Sequence, residues 1–235
     1  MKYIVYFTFI LGLITACNTS HNESKNPYFQ YFYNADTIPK IYLFRDVANG
    51  LDELYQRIYT VEDSRGKHII VEYYAADGRI IEALNYNIDS LNVMDHMGVN
   101  RKGQKMKAEL FKDQLIPMND SEEVWFATRF QGFMDSTLIL KEIKRKVSGK
   151  DIKIDVMGEE VPAIVMKDRI RMTNFNPFTK KEAVLEGLSI NYFAKGYGLV
   201  EWFTPDKKVH YRLEKIMNQE EWYRITVSYT HLRAH

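Results

Sequence analysis

Side chains able to carry out chemistry are sparse in this sequence and poorly spaced for it. Of six histidines, His21 sits in a polar N-terminal stretch and His231 and His235 in the last residues, which leaves His68, His96 and His210. There is no H-E-x-x-H, no H-x-H and no cysteine pair, so nothing supports a zinc-type ligand set and neither metal nor cofactor is expected. No G-x-S-x-G elbow presents a serine nucleophile, and Ser64-Arg65-Gly66-Lys67 and Ser148-Gly149-Lys150 read as turns. Asp95 is the sequence neighbour of His96, and adjacent residues of a strand point to opposite faces. His68 and His210 fall at strand starts, where they are expected on solvated faces. The pairs Glu122-Glu123, Glu159-Glu160 and Glu220-Glu221 read as wet surface in turns or helix starts. No enzyme is expected. The competing reading is a hydrolase-type site assembled from scattered residues, which a concave pocket joining His96 or His210 to a carboxylate would support.

Binding chemistry is better represented. Aromatic residues make up 14% of the chain, an enrichment that suits the half-buried surfaces of strands. Tyr73, Trp125, Phe130, Tyr192, Tyr197 and Trp202 are the candidate ligand-facing aromatics. In Lys141–Lys150, strand periodicity puts Lys144 and Lys146 on one face with Glu142, while Lys141 and Arg145 flank Ile143. Such a stripe could meet anionic lipid headgroups or peptidoglycan, but it is read first as the wet side of a sheet. The formal net charge is +1, so there is no electrostatic footprint for nucleic acid.

The elements that would position these residues are mainly β-strands. His68–Tyr74 and Arg79–Tyr86 flank Asp77-Gly78, a strong hairpin signal, and Leu54–Val61 precedes them across the Asp63–Gly66 turn. Met94–Asn100 and Gln104–Leu110 form a further pair, in which Met106, Ala108 and Leu110 make the dry face. Leu138–Val147 runs to a turn at Ser148-Gly149, and Ile152, Ile154 and Val156 continue beyond it. Ala163–Met166, Arg169–Thr173, Lys181–Phe193, Gly198–Phe203 and Val209–Ile216 complete about a dozen strands. Ser121 with a glutamate close behind resembles a capped helix start, so the one helix is expected over Ser121–Phe130. The fold class expected is mainly β: a curved antiparallel sheet or open barrel-like sandwich with one minor helix.

The N-terminus has its own logic. Lys2 gives a positive start, Tyr3–Ile14 is an apolar run too short to span a bilayer core, and Ala16 precedes the only cysteine, Cys17. This pattern resembles the bacterial lipoprotein signal with a lipobox at Ile14–Cys17. The resemblance implies acyl chains on Cys17, a membrane partner through that lipid, and no disulfide. Asn18 directly after it differs from the aspartate of inner-membrane retention, and the tether lacks an acidic export cluster. Both point to the outer membrane with the domain facing the periplasm.

Tyr192–Trp202 contains Ala194-Lys195-Gly196-Tyr197-Gly198-Leu199-Val200, which looks like the strand–turn–strand of periplasmic half-barrel-like families, including uncharacterised Bacteroidetes lipoproteins. In that resemblance Gly196 and Gly198 turn the backbone, Leu199 and Trp202 fill the concave side, and the sheet meets a lipid, an apolar ligand or another envelope protein. The last nine residues, Val227–His235, resemble a translated sequencing adaptor. The organisation expected is therefore a signal peptide over 1–17, a tether and aromatic lead-in over 18–38, one β domain over 39–226 and a non-native tail over 227–235.

Overall fold

The computed structural model describes residues 24–34, 36–100, 103–132 and 137–232, with side chains to residue 225. Cys17, the segment expected to be a signal peptide and the side chains of Val227–His235 lie outside that description. Alternating burial along the chain makes thirteen antiparallel strands. The first seven are β1 (Lys40–Asp46), β2 (Glu53–Asp63), β3 (Gly66–Ala75), β4 (Ile80–Asn87), β5 (Val93–Val99), β6 (Lys105–Lys107) and β7 (Glu109–Asp113). Then come β8 (Glu123–Gln131), β9 (Leu138–Val156), β10 (Glu159–Asn176), β11 (Lys181–Ala194), β12 (Gly198–Phe203) and β13 (His210–Asn218), followed by α1 (Gln219–Leu232).

All thirteen strands join one sheet in the order β6-β5-β4-β3-β2-β1-β13-β12-β11-β10-β9-β8-β7, so its two edges are consecutive in the chain. Ile69, Val71 and Leu84 from one half share a core with Phe126, Ile143, Ile164 and Met166 from the other, so the sheet curls over and packs on itself. Ala108, between the edge strands, donates its amide to His96 O at 2.9 Å. The barrel stays open, because no ladder joins β6 to β7.

One end of the curl is filled by the aromatic lead-in. Tyr28, Tyr31, Phe32 and Tyr33 are all buried, around a single 3-10 turn at Phe29–Tyr31. Burying each such ring contributes about 1.5–3 kcal/mol, enough to hold this short segment without strand pairing. Gly196 N donates to Gln30 O at 2.9 Å. Gly198 has φ +81°, and a Cβ there would meet the Tyr33 ring at 2.3 Å, so only glycine lets the tyrosine in.

The expected minor helix exists, but elsewhere. Ser121–Phe130 is largely strand β8, with Val124, Phe126 and Thr128 buried between exposed Glu123, Trp125 and Arg129. Period-two burial wins over the cap-like serine, whose hydroxyl instead bonds Asn119 Oδ1 at 2.8 Å. The helix is α1, where Asn218 Oδ1 accepts the Glu221 amide at 2.9 Å as an N-cap. Trp222 then seals a second small core of Ile41, Leu43, Tyr55 and Met217 on the outer face. Ser148-Gly149 is not a turn: β9 runs through it, with an irregular register against Val165.

Candidate binding site

The end opposite the plug is open and holds a cavity of about 250 Å³ between β2–β3 and β10–β12. This is the volume of roughly eight waters at about 30 Å³ each. Leu54 and Tyr73 from one half and Ile170, Leu199 and Trp202 from the other give it apolar walls. Trp202 is fixed by stacking on Tyr211 at 4.9 Å and by an edge contact with Phe44 at 4.8 Å.

Polar groups gather in the same cavity: Gln56, Asp168, Ser189 and Asn191. Gln56 is 2% exposed, and its Oε1 accepts from the plug's Tyr33 hydroxyl at 2.7 Å. Its amide nitrogen has no hydrogen-bond partner among the described residues. Asn191 accepts from Ser189 Oγ at 3.1 Å. Asp168 takes both arms of Arg145 at 2.7 Å each, and Arg145 also donates to Leu115 O at 3.2 Å. Burial lowers the Arg145 pKa, but Asp168 outweighs it and the net shift is upward, so the guanidinium stays charged. Burial also holds Tyr33 and Tyr73 well above the usual phenol range, so both are neutral.

A second cluster crosses the curl beside this cavity. His96 Nε2 lies 3.2 Å from Glu82 Oε2 and Nδ1 lies 3.1 Å from Thr128 Oγ1. The Lys141 ammonium meets Glu82 at 2.9 and 3.0 Å. Burial pushes the Glu82 carboxyl up, but Lys141 and His96 together hold it far below the usual carboxylate range. The order hydroxyl, imidazole, carboxylate is that of a nucleophile, base and orienting group. Thr128 and His96 are buried, however, Phe126 and Phe130 stand edge-on to the imidazole, and the Thr128 hydroxyl is 3.1 Å from Glu109 O. What the cluster does physically is tie β4 and β5 to β8 and β9 across the interior.

The sequence candidates divide. Tyr73 and Trp202 line the cavity. Phe130 faces inward but packs on His96, and Gly98 sits under its ring. Tyr192 stacks on Phe203 at 6.0 Å, and Tyr197 reaches Glu159 at 2.8 Å at the plugged end. Trp125 lies on the outer face between Lys112 and Lys144. His68 and His210 are buried rather than solvated: His68 is held by Asn85 and Asp63, and His210 by Glu201 at 2.6 Å. In the Lys141–Lys150 stripe, Lys141 and Arg145 point inward and Lys144 outward. Gln56, Asp168, Ser189 and Asn191 are absent from the sequence-derived set; their one signal is that Ser189 and Asn191 share the strand phase of the buried Phe193.

A wider crevice of about 780 Å³ lies at the plugged end, bounded by Phe29, Gln30, Glu62, Lys67 and Lys195. Phe29, Phe32, Tyr33, Ile69 and Ile88 line it together with Glu62, Lys67, Asp89 and Lys195, a more polar mixture than the walls of the smaller cavity.

No family model and no curated protein matches the chain. Among solved structures it is similar to a candidate lipoprotein from Parabacteroides distasonis ATCC 8503, with 11% identity, TM-score 0.47, and coverage of 80% of this chain and 98% of that one. It is also similar to a candidate exported protein with YmcC-like fold from Bacteroides fragilis NCTC 9343, with 13% identity, TM-score 0.41 and the same coverage.

Proposed function

We propose that this is a lipid-anchored cell-envelope protein that binds a small amphipathic molecule in its open-end cavity. The observation carrying this reading is the meeting in one cavity of apolar walls from Leu54, Tyr73, Ile170, Leu199 and Trp202 with the polar side chains of Gln56, Ser189 and Asn191. The Gln56 amide can donate to a ligand carbonyl, carboxylate or hydroxyl, a hydrogen bond that contributes about 0.5–1.5 kcal/mol net. The ligand's apolar part would then lie on Ile170, Leu199 and Trp202. The volume suits a small molecule or one partner side chain, and is too small for a whole diacyl lipid.

The anchor would be the acylated Cys17, holding the domain at the outer membrane on its periplasmic side. Ser24 Oγ bonds Asp89 O at 2.7 Å, so the tether leaves from the plugged end. The seven residues between Cys17 and Lys25 reach at most about 28 Å. The plugged end would therefore face the anchoring bilayer and the cavity would open away from it. Cys17→Ser should release the protein from membranes, and labelling of intact cells by a non-permeant reagent would sink the periplasmic assignment. Native mass spectrometry of the full chain in mild detergent tests the binding claim: a retained small molecule supports it, and an empty cavity under all extraction conditions refutes it.

The second reading, a hydrolase, draws on the Thr128–His96–Glu82 arrangement. Covalent labelling of Thr128 by a fluorophosphonate would establish it. Because the hydroxyl is sealed, we expect no labelling.

A further inference from the structure

The geometry points to self-association through the free edge of β11: we propose that two copies of this chain pair antiparallel along Lys181–Ser189 about a two-fold axis at Leu185. β11 pairs with β10 along its whole length, but its ladder with β12 begins only at Ile190. Along Lys181–Ser189 the second side of the backbone has no partner among the described residues. The side chains of residues 181–188 are all exposed, Leu185 at 68%. A row of unpaired N–H and C=O groups of this length is a template for another strand.

The contrast with the formal edges is physical. β6 is three residues long with a lysine at each end, and β7 is five residues long with a register shift at Leu110/Lys112. Short length, lysines and irregularity are the usual ways of blunting an edge. The β11 segment is nine residues long, carries its one lysine at the very end, holds no proline and no bulge, and exposes Val184, Leu185 and Leu188.

Self-pairing is favoured by what each register brings together. Side chains opposite one another across an antiparallel two-fold must share a face, so the axis passes through a residue. Centring on Val184 sets Glu182 against the partner's Glu186, and centring on Glu186 sets that glutamate against its own copy. Centring on residue 183 shortens the ladder, and centring on residue 187 runs it into the stretch already paired with β12. Centring on Leu185 leaves no like charges opposed. Leu185 then meets its copy, with Met172 beside each one on β10. Ala183 meets the partner's Gly187, and Glu182 meets the partner's Leu188. Lys181 meets the partner's Ser189, which neighbours the partner's Asp168 in the next strand and lines its cavity. Val184 meets the partner's Glu186, whose carboxylate is ion-paired with Arg171 of its own β10, so the apolar Leu185 pair on the axis is flanked by charge that is already matched. The inference stands apart from the ligand proposal, since it rests on the backbone edge and not on the cavity.

Sedimentation of the full chain in mild detergent tests it. The wild type should sediment as a dimer, and Leu185→Lys should weaken association by about tenfold or more by placing two ammonium groups on the axis. At a dilution where both chains are monomeric its thermal midpoint should match the wild type's, because the side chain is exposed. In a Cys17→Ser background, Leu185→Cys should form a disulfide-linked dimer on oxidation, since opposed Cβ atoms lie within about 4.5–5.5 Å. Val184→Cys, off the axis, should not. A monomeric wild type, a dimer indifferent to Leu185→Lys, or equal cross-linking of both cysteine variants would overturn it. So would β11 amides that gain hydrogen-exchange protection only when a different envelope protein is added, which would make the occupant a foreign strand.

Discussion

The two ends of the curled sheet solve the same problem in opposite ways. At one end four aromatic residues from the lead-in fill the opening, and Tyr33 fits so closely that Gly198 has no room for a methyl group. At the other end no segment enters among the described residues. Apolar walls enclose a cavity, and beyond it the β10–β11 hairpin continues as an uncovered extension. Gln56 joins the two ends, accepting from Tyr33 on the plugged side while its amide nitrogen is left without a partner. Close packing specifies the first end, and unfilled volume lined by Gln56, Ser189 and Asn191 leaves the second available for binding. The plug thus fixes the floor on which a ligand would rest.

The comparison can be broken by mutation, most sharply at Asp168. Asp168→Ala strands the buried Arg145 guanidinium and should lower unfolding free energy by about 3–5 kcal/mol in denaturant titrations. Such a loss would mean that the wall of the open end is structural as well as lining. At the plugged end, Gly198→Ala combines a positive φ with a collision on Tyr33 and should cost about 2–4 kcal/mol. The matching control, Gly187→Ala on the extension, finds open space and should stay within about 0.5 kcal/mol. If the two glycine variants melted alike, the distinction between the ends would collapse. Tyr33→Phe removes one buried hydrogen bond and leaves Gln56 Oε1 unpaired, an expected loss of about 1–3 kcal/mol.

Acid titration separates the His96 cluster from both ends. The Glu82 carboxyl is held below its unfolded value. Its stabilisation is therefore complete above the ordinary carboxylate range, near pH 4.3, and is lost as pH falls through that range towards the folded value. Glu82→Gln should flatten that acid limb, seen as a smaller drop in thermal midpoint between neutral and acid pH than in wild type. An unchanged limb would mean that the cluster does not tie the sheet halves together.

Much of the sheet was legible because half-buried strands alternate. Asp77-Gly78 and the Tyr192–Trp202 turn reflect that period, whereas the strand expected over Gln104–Leu110 breaks at Ala108 into β6 and β7 on opposite edges of the sheet. The helix was misplaced because Ser121 imitates a cap, whereas Asn218 ahead of Gln219-Glu220-Glu221 supplies the real one. Two histidines read as wet are buried because the outer face, too, packs locally against neighbouring side chains. The cavity was half legible: Tyr73 and Trp202 stand out as aromatics, whereas Ser189 and Asn191 are polar residues in an inward phase and resemble surface. Lys141 and Arg145 escaped for the same reason, since charge on a strand suggests solvent until a partner such as Glu82 or Asp168 appears across the fold. The bare edge of β11 was implicit in lengths alone, a strand of fourteen residues beside one of six.

The central claim, that the open end is a binding site, is tested most directly by filling it. Ser189→Phe places a ring in the cavity in place of a small buried side chain, without substituting Gln56, the plug or the Arg145–Asp168 pair. Native mass spectra of the wild-type and Ser189→Phe chains, purified identically in mild detergent, should show a small molecule bound to the first and absent from the second. Equal retention by both chains, or none by either, would contradict the account.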